Sequence, residues 1–357
     1  MSGTTPAAAG ILGCGYSLPS TLRHNNDPVF SRLSRDPADN DGFDTVAFFT
    51  GARERRCLAD GERIETHMAD ASRKALAQAR IGPESVDRIY GYGSVPDHVT
   101  PNTLYRVHHM LGLSHETLVV PINSEFSNFL TALVLATEAV VSGNARHILI
   151  VCGSNWTQHL DYSKGHAFGA GDAAAAAVVG PSGSLQVVDH ATRTHSDQYL
   201  SLTMTTRFVG ASGTAHLPLD AQGLPIPTYS MEAAGSEVYQ SILLDGLPDL
   251  VNRLLDRNGV RSSEVSLITH QGSRRLLDHW ADRISPGAYL ESLRELGNMT
   301  LATYPVNLAC HFTTITTPYV VLAAVGTGCH LTAVLLAKRR VPKVTETRGT
   351  STADLGL

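Results

Sequence analysis

Residues 122–129 read Ile-Asn-Ser-Glu-Phe-Ser-Asn-Phe, and this stretch decides the fold. It joins the apolar run 118–121 to segment 129–141, which is apolar nearly all round. That pattern predicts a strand that turns sharply into a central, buried helix. The tip of the predicted elbow carries Phe126, whose phenyl ring has no acid–base or nucleophilic chemistry.

The same order of elements occurs twice along the chain. Strand, elbow, buried helix and strand follow one another around 118–153 and again around 295–325. This weak internal repeat indicates two pseudo-equivalent α/β halves packed around a pair of elbows. We place the halves at 1–180 and 233–357, with an irregular excursion or lid at 181–232.

The composition bounds the class of protein. The chain has 357 residues, of which 43% are hydrophobic and 17% charged, with a net charge of −5 and a pI near 6.3. These values predict a sizeable folded core and no nucleic-acid partner. The absence of a long apolar stretch and of a signal-peptide pattern predicts a cytoplasmic protein with no membrane partner. Five cysteines without CxxC spacing and 16 scattered histidines predict no disulfide framework and no metal site.

Three polar loops are expected to converge on the elbow. They are residues 269–275 at a strand end, Gly297-Asn298 at the second elbow, and the Gly-rich stretch 326–330. In open α/β sheets, strand ends that face one crevice bind ligands. A helix that begins at an elbow adds backbone N–H groups and the positive end of a dipole.

Five motifs, in the right order, carry a family resemblance. Nearly the whole chain resembles β-ketoacyl-ACP synthase III of the thiolase superfamily. The matches are 50–56 (TGARERR) to RTGIxERR, 168–175 (FGAGDAAA) to FGDGAGA, 270–273 (HQGS) to HQAN, 297–300 (GNMT) to GNTS, and 326–332 (GTGCHLT) to GFGAGLT. The resemblance implies a thiolase-like α/β fold with five layers in the order αβαβα.

The resemblance also implies a site. That family uses a Cys–His–Asn triad: a thioester acylates the Cys, while the His and Asn hold a malonyl thioester carbonyl as CO₂ leaves. His270 and Asn298 match the second and third members as catalytic residues, and Phe126 stands where the Cys belongs. The substrate would be an acyl thioester of acyl carrier protein (ACP) or CoA, with no further cofactor. Two family residues that contact CoA are replaced by Thr45 and Phe49, and a Gly near the oxyanion site is replaced by His330.

Five residues are weighed as alternative site groups. Ser127 is the nearest hydroxyl, either a replacement nucleophile or, as we favour, a residue that satisfies a free amide at the helix start. Glu125 either points into the crevice as a base or, as favoured, complements the helix dipole. Cys329 and Cys310 are favoured as packing residues, while His330 beside Cys329 keeps a replacement thiol open.

Two functions from different classes fit this sequence. The first is a synthase-III-like acyltransferase or condensing-type enzyme of fatty-acid or polyketide-type metabolism that works without the Cys acyl-enzyme. The second is a catalytically silent partner that pairs with an active homologue. The resemblance implies a homodimer, with a heterodimer under the second hypothesis. Candidate carrier-binding residues, which would meet an acidic carrier, are Arg275, Arg274, Arg253 and Arg257, with Arg261 nearby.

Overall fold

The computed structural model describes residues 8–33, 46, 49–98, 100–124, 126–205, 228–231, 238 and 242–339. The strands are β1 Ala9–Ser17, β2 Thr21–His24, β3 Glu54–Cys57, β4 Arg88–Ser94, β5 Leu118–Pro121, β6 Ile148–Ser154, β7 Ala173–Pro181, β8 Leu185–Thr194, β9 Leu202–Thr205, β10 Thr228–Met231, β11 Val265–Thr269, β12 Ala288–Tyr289, β13 Tyr319–Gly326 and β14 His330–Lys338. The α-helices are α1 Ile64–Ala79, α2 Thr103–Leu111, α3 Asn128–Val141, α4 Leu244–Arg257, α5 Arg274–Ile284, α6 Leu293–Leu296 and α7 Thr303–His311.

Two half-sheets with the same topology confirm the predicted duplication. The first half-sheet has the order β5-β4-β6-β7-β1 and the second the order β12-β11-β13-β14-β8. In each half-sheet, the first three strands of this order are parallel to one another, the fourth is antiparallel to the third, and the fifth is antiparallel to the fourth. The halves meet where β1 pairs with β8 over two residue pairs, Gly10 with Gln186 and Ile11 with Leu185.

Alternating side chains divide the core into five layers. Ile148 and Ile150 face α3 and α7, whereas Leu149 and Val151 face α1 and α2 on the other side of the first half-sheet. Strand β13 divides its side chains in the same way between α3 and α7 on one face and α4 and α5 on the other. The helices α3 and α7 therefore lie between the two half-sheets, which gives the predicted αβαβα order.

The predicted excursion at 181–232 is wrong in its first part. Residues 185–194 form β8, the strand that begins the second half-sheet and pairs with β14 along its length. Its side chains alternate between exposed and partly buried, and it carries Asp189, His190 and Arg193. This polar strand lacks the apolar run that marks a buried one. Residues 206–227 lie outside the described part of the chain, so the lid stays a prediction.

Candidate active site at the elbow

The elbow is a strained turn between β5 and α3. Phe126 has φ of 75°, in the left-handed region that bulky side chains rarely adopt. The Ser127 N–H donates to the Ser124 carbonyl at 2.8 Å, and the Asn128 side chain donates to the Ile122 carbonyl at 3.0 Å. These contacts hold a conformation that costs about 1–3 kcal/mol. The turn places the residue-126 side chain at the start of a buried helix.

His270 and Asn298 come together beside the elbow, as predicted. His270 directly follows β11, and its N–H donates to the Ala323 carbonyl at 3.1 Å. Asn298 follows Gly297, whose φ of 68° turns the chain back toward the site. The Thr300 N–H donates to Asn298 Oδ1 at 2.9 Å, which leaves Asn298 Nδ2 toward His270 Nε2 at 3.3 Å.

Tyr304 of α7 is the third residue of this cluster. Its hydroxyl lies 3.3 Å from His270 Nδ1, and its ring is fully buried. Burial raises the pKa of Tyr304, while a backbone hydrogen bond from Val325 lowers it. The Asn298 Nδ2 group can only donate, so it donates to His270 Nε2 when Nδ1 carries the ring proton, and Nδ1 then donates to the Tyr304 hydroxyl.

An aromatic cavity opens in front of these residues. It has a volume of about 580 Å³, part of it open to solvent. The Phe126 ring forms one wall, 5.1 Å from the Trp156 ring edge-to-face and 6.2 Å from the His270 imidazole at an interplanar angle of 16°. The other lining residues are Phe49, Leu160, His166, Ala170, Leu243, Asn298, Thr300, Val325, Gly326 and Thr327. The described lining residues are apolar or neutral in character, which suits an uncharged acyl group.

Two lining histidines are kept neutral by burial, which lowers the pKa of both His166 and His270 to about 4. The unfolded value is about 6.5, so the unfolded chain binds more protons between pH 4 and 6.5. The stability contributed by each neutral histidine is therefore complete above pH 6.5 and is lost as the pH falls toward 4.

We expect His270→Gln to remove the part of this pH dependence that His270 contributes and to leave that of His166. The free energy of unfolding of the wild type should fall by about 2–3 kcal/mol more than that of the variant from pH 7 to pH 4.5. Urea unfolding at pH 7, 5.5 and 4.5 measures it, and His109→Gln, at an exposed position, is the matched control. A constant difference across this range would contradict the neutral state of His270.

Ser127 does not play the favoured role of a helix cap. Its side chain makes no capping bond at the start of α3. Its hydroxyl instead lies 2.8 Å from His330 Nε2, and His330 Nδ1 lies 3.0 Å from the Thr327 carbonyl. Ser127 and His330 are 203 residues apart. Sequence reasoning flagged each residue separately but missed this pair, because two polar residues at a helix start and a strand start carry no sign of their contact.

The other predicted site residues divide into several groups. Glu125 and Thr45 lie outside the described residues, whereas Phe49 lines the cavity. Cys329 packs in the core beneath α4 and α5, and its pKa is raised to about 11 by burial and by Asp197. Cys310 is exposed, and burial of its sulfur raises its pKa. The raised pKa of each thiol disfavours the thiolate, and of the two only Cys329 packs in the core.

The candidate carrier-binding arginines differ in their contacts. Arg274 pairs with Glu291 at 2.7 Å, and Arg257 pairs with Asp189 at 2.6 Å. Arg261 pairs with Glu264 at 2.9 Å. Arg275 and Arg253 are exposed and have no ion pair within the described part of the chain. These two keep their charge available to an acidic partner.

Neither a metal cluster nor a membrane-spanning helix occurs in the described ranges. They hold no group of three or more His, Cys, Asp or Glu side chains that could bind a metal ion. No described helix is long and apolar enough to cross a bilayer.

The duplicated half-sheets and the central helix pair define a thiolase-like α/β fold, and solved structures agree. The priming β-ketosynthase of the R1128 polyketide biosynthetic pathway superimposes with a TM-score of 0.78 at 22% identity, covering 96% of this chain and 100% of that one. The 3-oxoacyl-ACP synthase III of Aquifex aeolicus VF5 gives a TM-score of 0.76 at 21% identity, covering 92% of this chain and 99% of that one.

The sequence itself is similar to synthase III proteins. The family profile described as 3-Oxoacyl-[acyl-carrier-protein (ACP)] synthase III matches residues 121–196, which contain the elbow. The β-ketoacyl-ACP synthase III of Thiobacillus denitrificans is 27% identical over 301 residues, covering 83% of this chain and 88% of the relative. The resemblance inferred from the motifs is thus confirmed, and the chain is similar to β-ketoacyl-ACP synthase III over most of its length.

Proposed function

We propose that this protein is a synthase-III-like enzyme that processes carrier-bound acyl or malonyl thioesters without a Cys acyl-enzyme. The observation that carries the proposal is the pairing of His270 and Asn298 at 3.3 Å in an aromatic cavity. When the ring proton moves to Nε2, the tautomer that a bound carbonyl oxygen would favour, both side chains present N–H donors to the cavity. Two converging donors suit one thioester carbonyl oxygen, whose developing negative charge they stabilise.

The elbow supports the other part of the proposal, that no Cys acyl-enzyme forms. Phe126 has a φ of 75°, as expected at the tip of a nucleophile elbow, and the motif resemblance puts its ring where the family has a thiol. An acceptor alcohol or amine would then attack the held acyl thioester, or a held malonyl thioester would lose CO₂. A single oxyanion donor contributes about 2.7–4 kcal/mol, so a useful rate does not need a thiol at position 126.

One observation favours the silent partner as a second candidate. The Phe126 ring lies nearly parallel to the His270 ring, with centroids 6.2 Å apart, and takes up space in front of the paired donors. A protein with this site closed would shape or stabilise an active homologue. Co-purification with an intact homologous synthase, without turnover of its own, would select this candidate.

Turnover of labelled thioesters tests the proposed function. The purified protein is incubated with radiolabelled acyl-ACP and malonyl-ACP and the corresponding CoA thioesters, with candidate acceptors. Release of CO₂ or formation of an acylated acceptor supports the enzyme. The absence of turnover with every thioester would reject it.

Carrier docking is assigned to the exposed Arg275 at the start of α5, which follows the His270 loop. We expect Arg275→Glu to raise the KM for acyl-ACP by about 3–10-fold, because rim charges act mainly on association. The KM for a small N-acetylcysteamine thioester should not change. Arg261→Glu is the control, since Arg261 already pairs with Glu264. Equal effects on carrier-bound and small thioesters would contradict docking at Arg275.

A homodimer is proposed from the sheet edge. Strand β5 pairs with β4 and lies at the end of the sheet order, and its Leu118 is 52% exposed. An apolar edge strand of this kind invites pairing with a second copy. Sedimentation velocity, which distinguishes a dimer from a monomer, tests this assembly. The cytoplasmic location expected from the sequence stays a prediction.

A further inference from the structure

We propose that Ser127 and His330 form a nucleophile–base pair, and that Ser127 accepts the acyl group in place of a residue-126 thiol. This inference rests on the proposed function, because it needs an acyl thioester in the adjacent cavity. It moves the covalent step one residue along the elbow. The acyl-enzyme would be an oxygen ester of Ser127.

The geometry is that of an activated hydroxyl. Ser127 Oγ and His330 Nε2 are 2.8 Å apart, within the range for a nucleophile and its general base. A third group orients the base: His330 Nδ1 lies 3.0 Å from the Thr327 carbonyl oxygen. A carbonyl oxygen can only accept, so Nδ1 carries the proton. In the neutral imidazole, Nε2 is then the acceptor for the Ser127 proton.

A capping role does not account for this arrangement. Ser127 makes no side-chain bond to the first turn of α3, although it stands at the N-cap position. Its hydroxyl is directed across the molecule to the strand β14 of the second half-sheet. The His330 imidazole is partly exposed, so it can exchange a proton with solvent or substrate.

The pair lies directly behind the cavity wall. Phe126 and Thr327 both line the cavity. Phe126 precedes Ser127 in the chain, and the Thr327 carbonyl lies 3.0 Å from His330 Nδ1. Ser127 is 0% exposed in the present conformation. Acylation therefore requires a shielding side chain to move. We assign this movement to the half-buried Phe126 ring, which lines the cavity and directly precedes Ser127 in the chain.

The step balances within these groups. Ser127 Oγ attacks the thioester carbonyl carbon, and its proton passes to His330 Nε2. The tetrahedral oxyanion collapses, the C–S bond breaks, and the leaving thiolate takes the proton from His330. The products are acyl-Ser127 and the free carrier thiol. An acceptor alcohol, amine or water reverses the same proton transfers to release the acyl group.

Mass spectrometry of the full-length protein tests the inference. The probes are acetyl- and butyryl-N-acetylcysteamine and the matching acyl-ACP, followed by peptide mapping. We expect one acyl group on Ser127 in wild type, none in Ser127→Ala, and acylation slowed about 10²-fold or more in His330→Gln. Phe126→Gly should acylate faster, since glycine accepts φ of 75° and removes the shield. Ser124→Ala, at a hydroxyl that bonds Thr131 at 2.9 Å, should acylate as wild type does.

A second variant keeps the test valid if Ser127→Ala is unstable. Ser127→Cys retains a nucleophile at the same position and should carry the acyl group as a thioester. Turnover of acyl-ACP that persists in Ser127→Ala, with no Ser127 adduct in wild type or Phe126→Gly, would overturn the inference and leave the proposed function standing. Neither turnover nor adduct with any probe would overturn both.

Discussion

Replacing His270 with alanine is expected to lower thioester turnover by about 10²–10³-fold, the loss that follows removal of one oxyanion donor. The effect should fall on kcat, because the donor acts on charge that develops in the transition state. His270 has a fixed geometry: Asn298 and Tyr304 each lie 3.3 Å from one of its ring nitrogens. Initial rates with saturating acyl-ACP measure the change.

Two further variants separate a donor role from a structural one. Asn298→Ala should lose a similar factor, and the double variant should lose less than the product, because the two donors act on one oxygen. Tyr304→Phe retains the ring and removes the bond to Nδ1, so a smaller loss is expected. Thermal unfolding of each variant checks that the fold is intact. An unchanged kcat in His270→Ala would remove the basis of the proposed function.

Replacing Phe126 with cysteine is expected to create a covalent acyl-enzyme at the elbow tip. The new thiol would stand at the N-terminus of the 14-residue helix α3, a position that favours the thiolate. It would also face His270 across the space that the phenyl ring now occupies. We expect stoichiometric acylation at position 126 and faster alkylation by iodoacetamide than at the exposed Cys310.

The Ser127→Ala background isolates this effect from acylation of Ser127. In that background, an acyl group that maps to residue 126 confirms that the elbow still presents its tip to the thioester. We expect a cost of about 1–3 kcal/mol in stability, since the buried part of the ring is lost. A thiol at 126 that stays unacylated and unalkylated would show that the site does not admit a thioester.

The repeated elements could be predicted because their periodicity is local. Strand β5 and helix α3 begin and end within one residue of the predicted limits, 118–121 and 129–141. Helix α5 was missed although Leu276, Leu277, Trp280 and Ile284 lie at helical spacing and are buried. Strand β8 was missed for a physical reason, since its pairing with β14 and β1 does not require an apolar run.

The candidate site could likewise be predicted only where its signals are local in the sequence. His270 and Asn298 were predicted because their motifs stand next to strand and turn signals in the sequence. The bond between Ser127 and His330 depends on how two halves of the fold pack, and neither residue type reveals its partner. The strain at Phe126 was equally hidden, because a φ of 75° at a bulky residue is imposed by tertiary contacts and not by local preference.

Because the half-sheets pair only through the short junction between β1 and β8, the geometry of the site depends on the angle between the two halves. The half-sheets share two residue pairs, and Gly10 permits that approach because a Cβ there would lie 2.4 Å from the Leu185 carbonyl oxygen. The elbow belongs to the first half, whereas His270, Asn298 and His330 belong to the second. A small rotation about the junction would therefore change the width of the cavity. The Ser127–His330 bond is one of the contacts that oppose such a rotation, together with the Asn298 N–H, which donates to the Gly169 carbonyl at 2.7 Å.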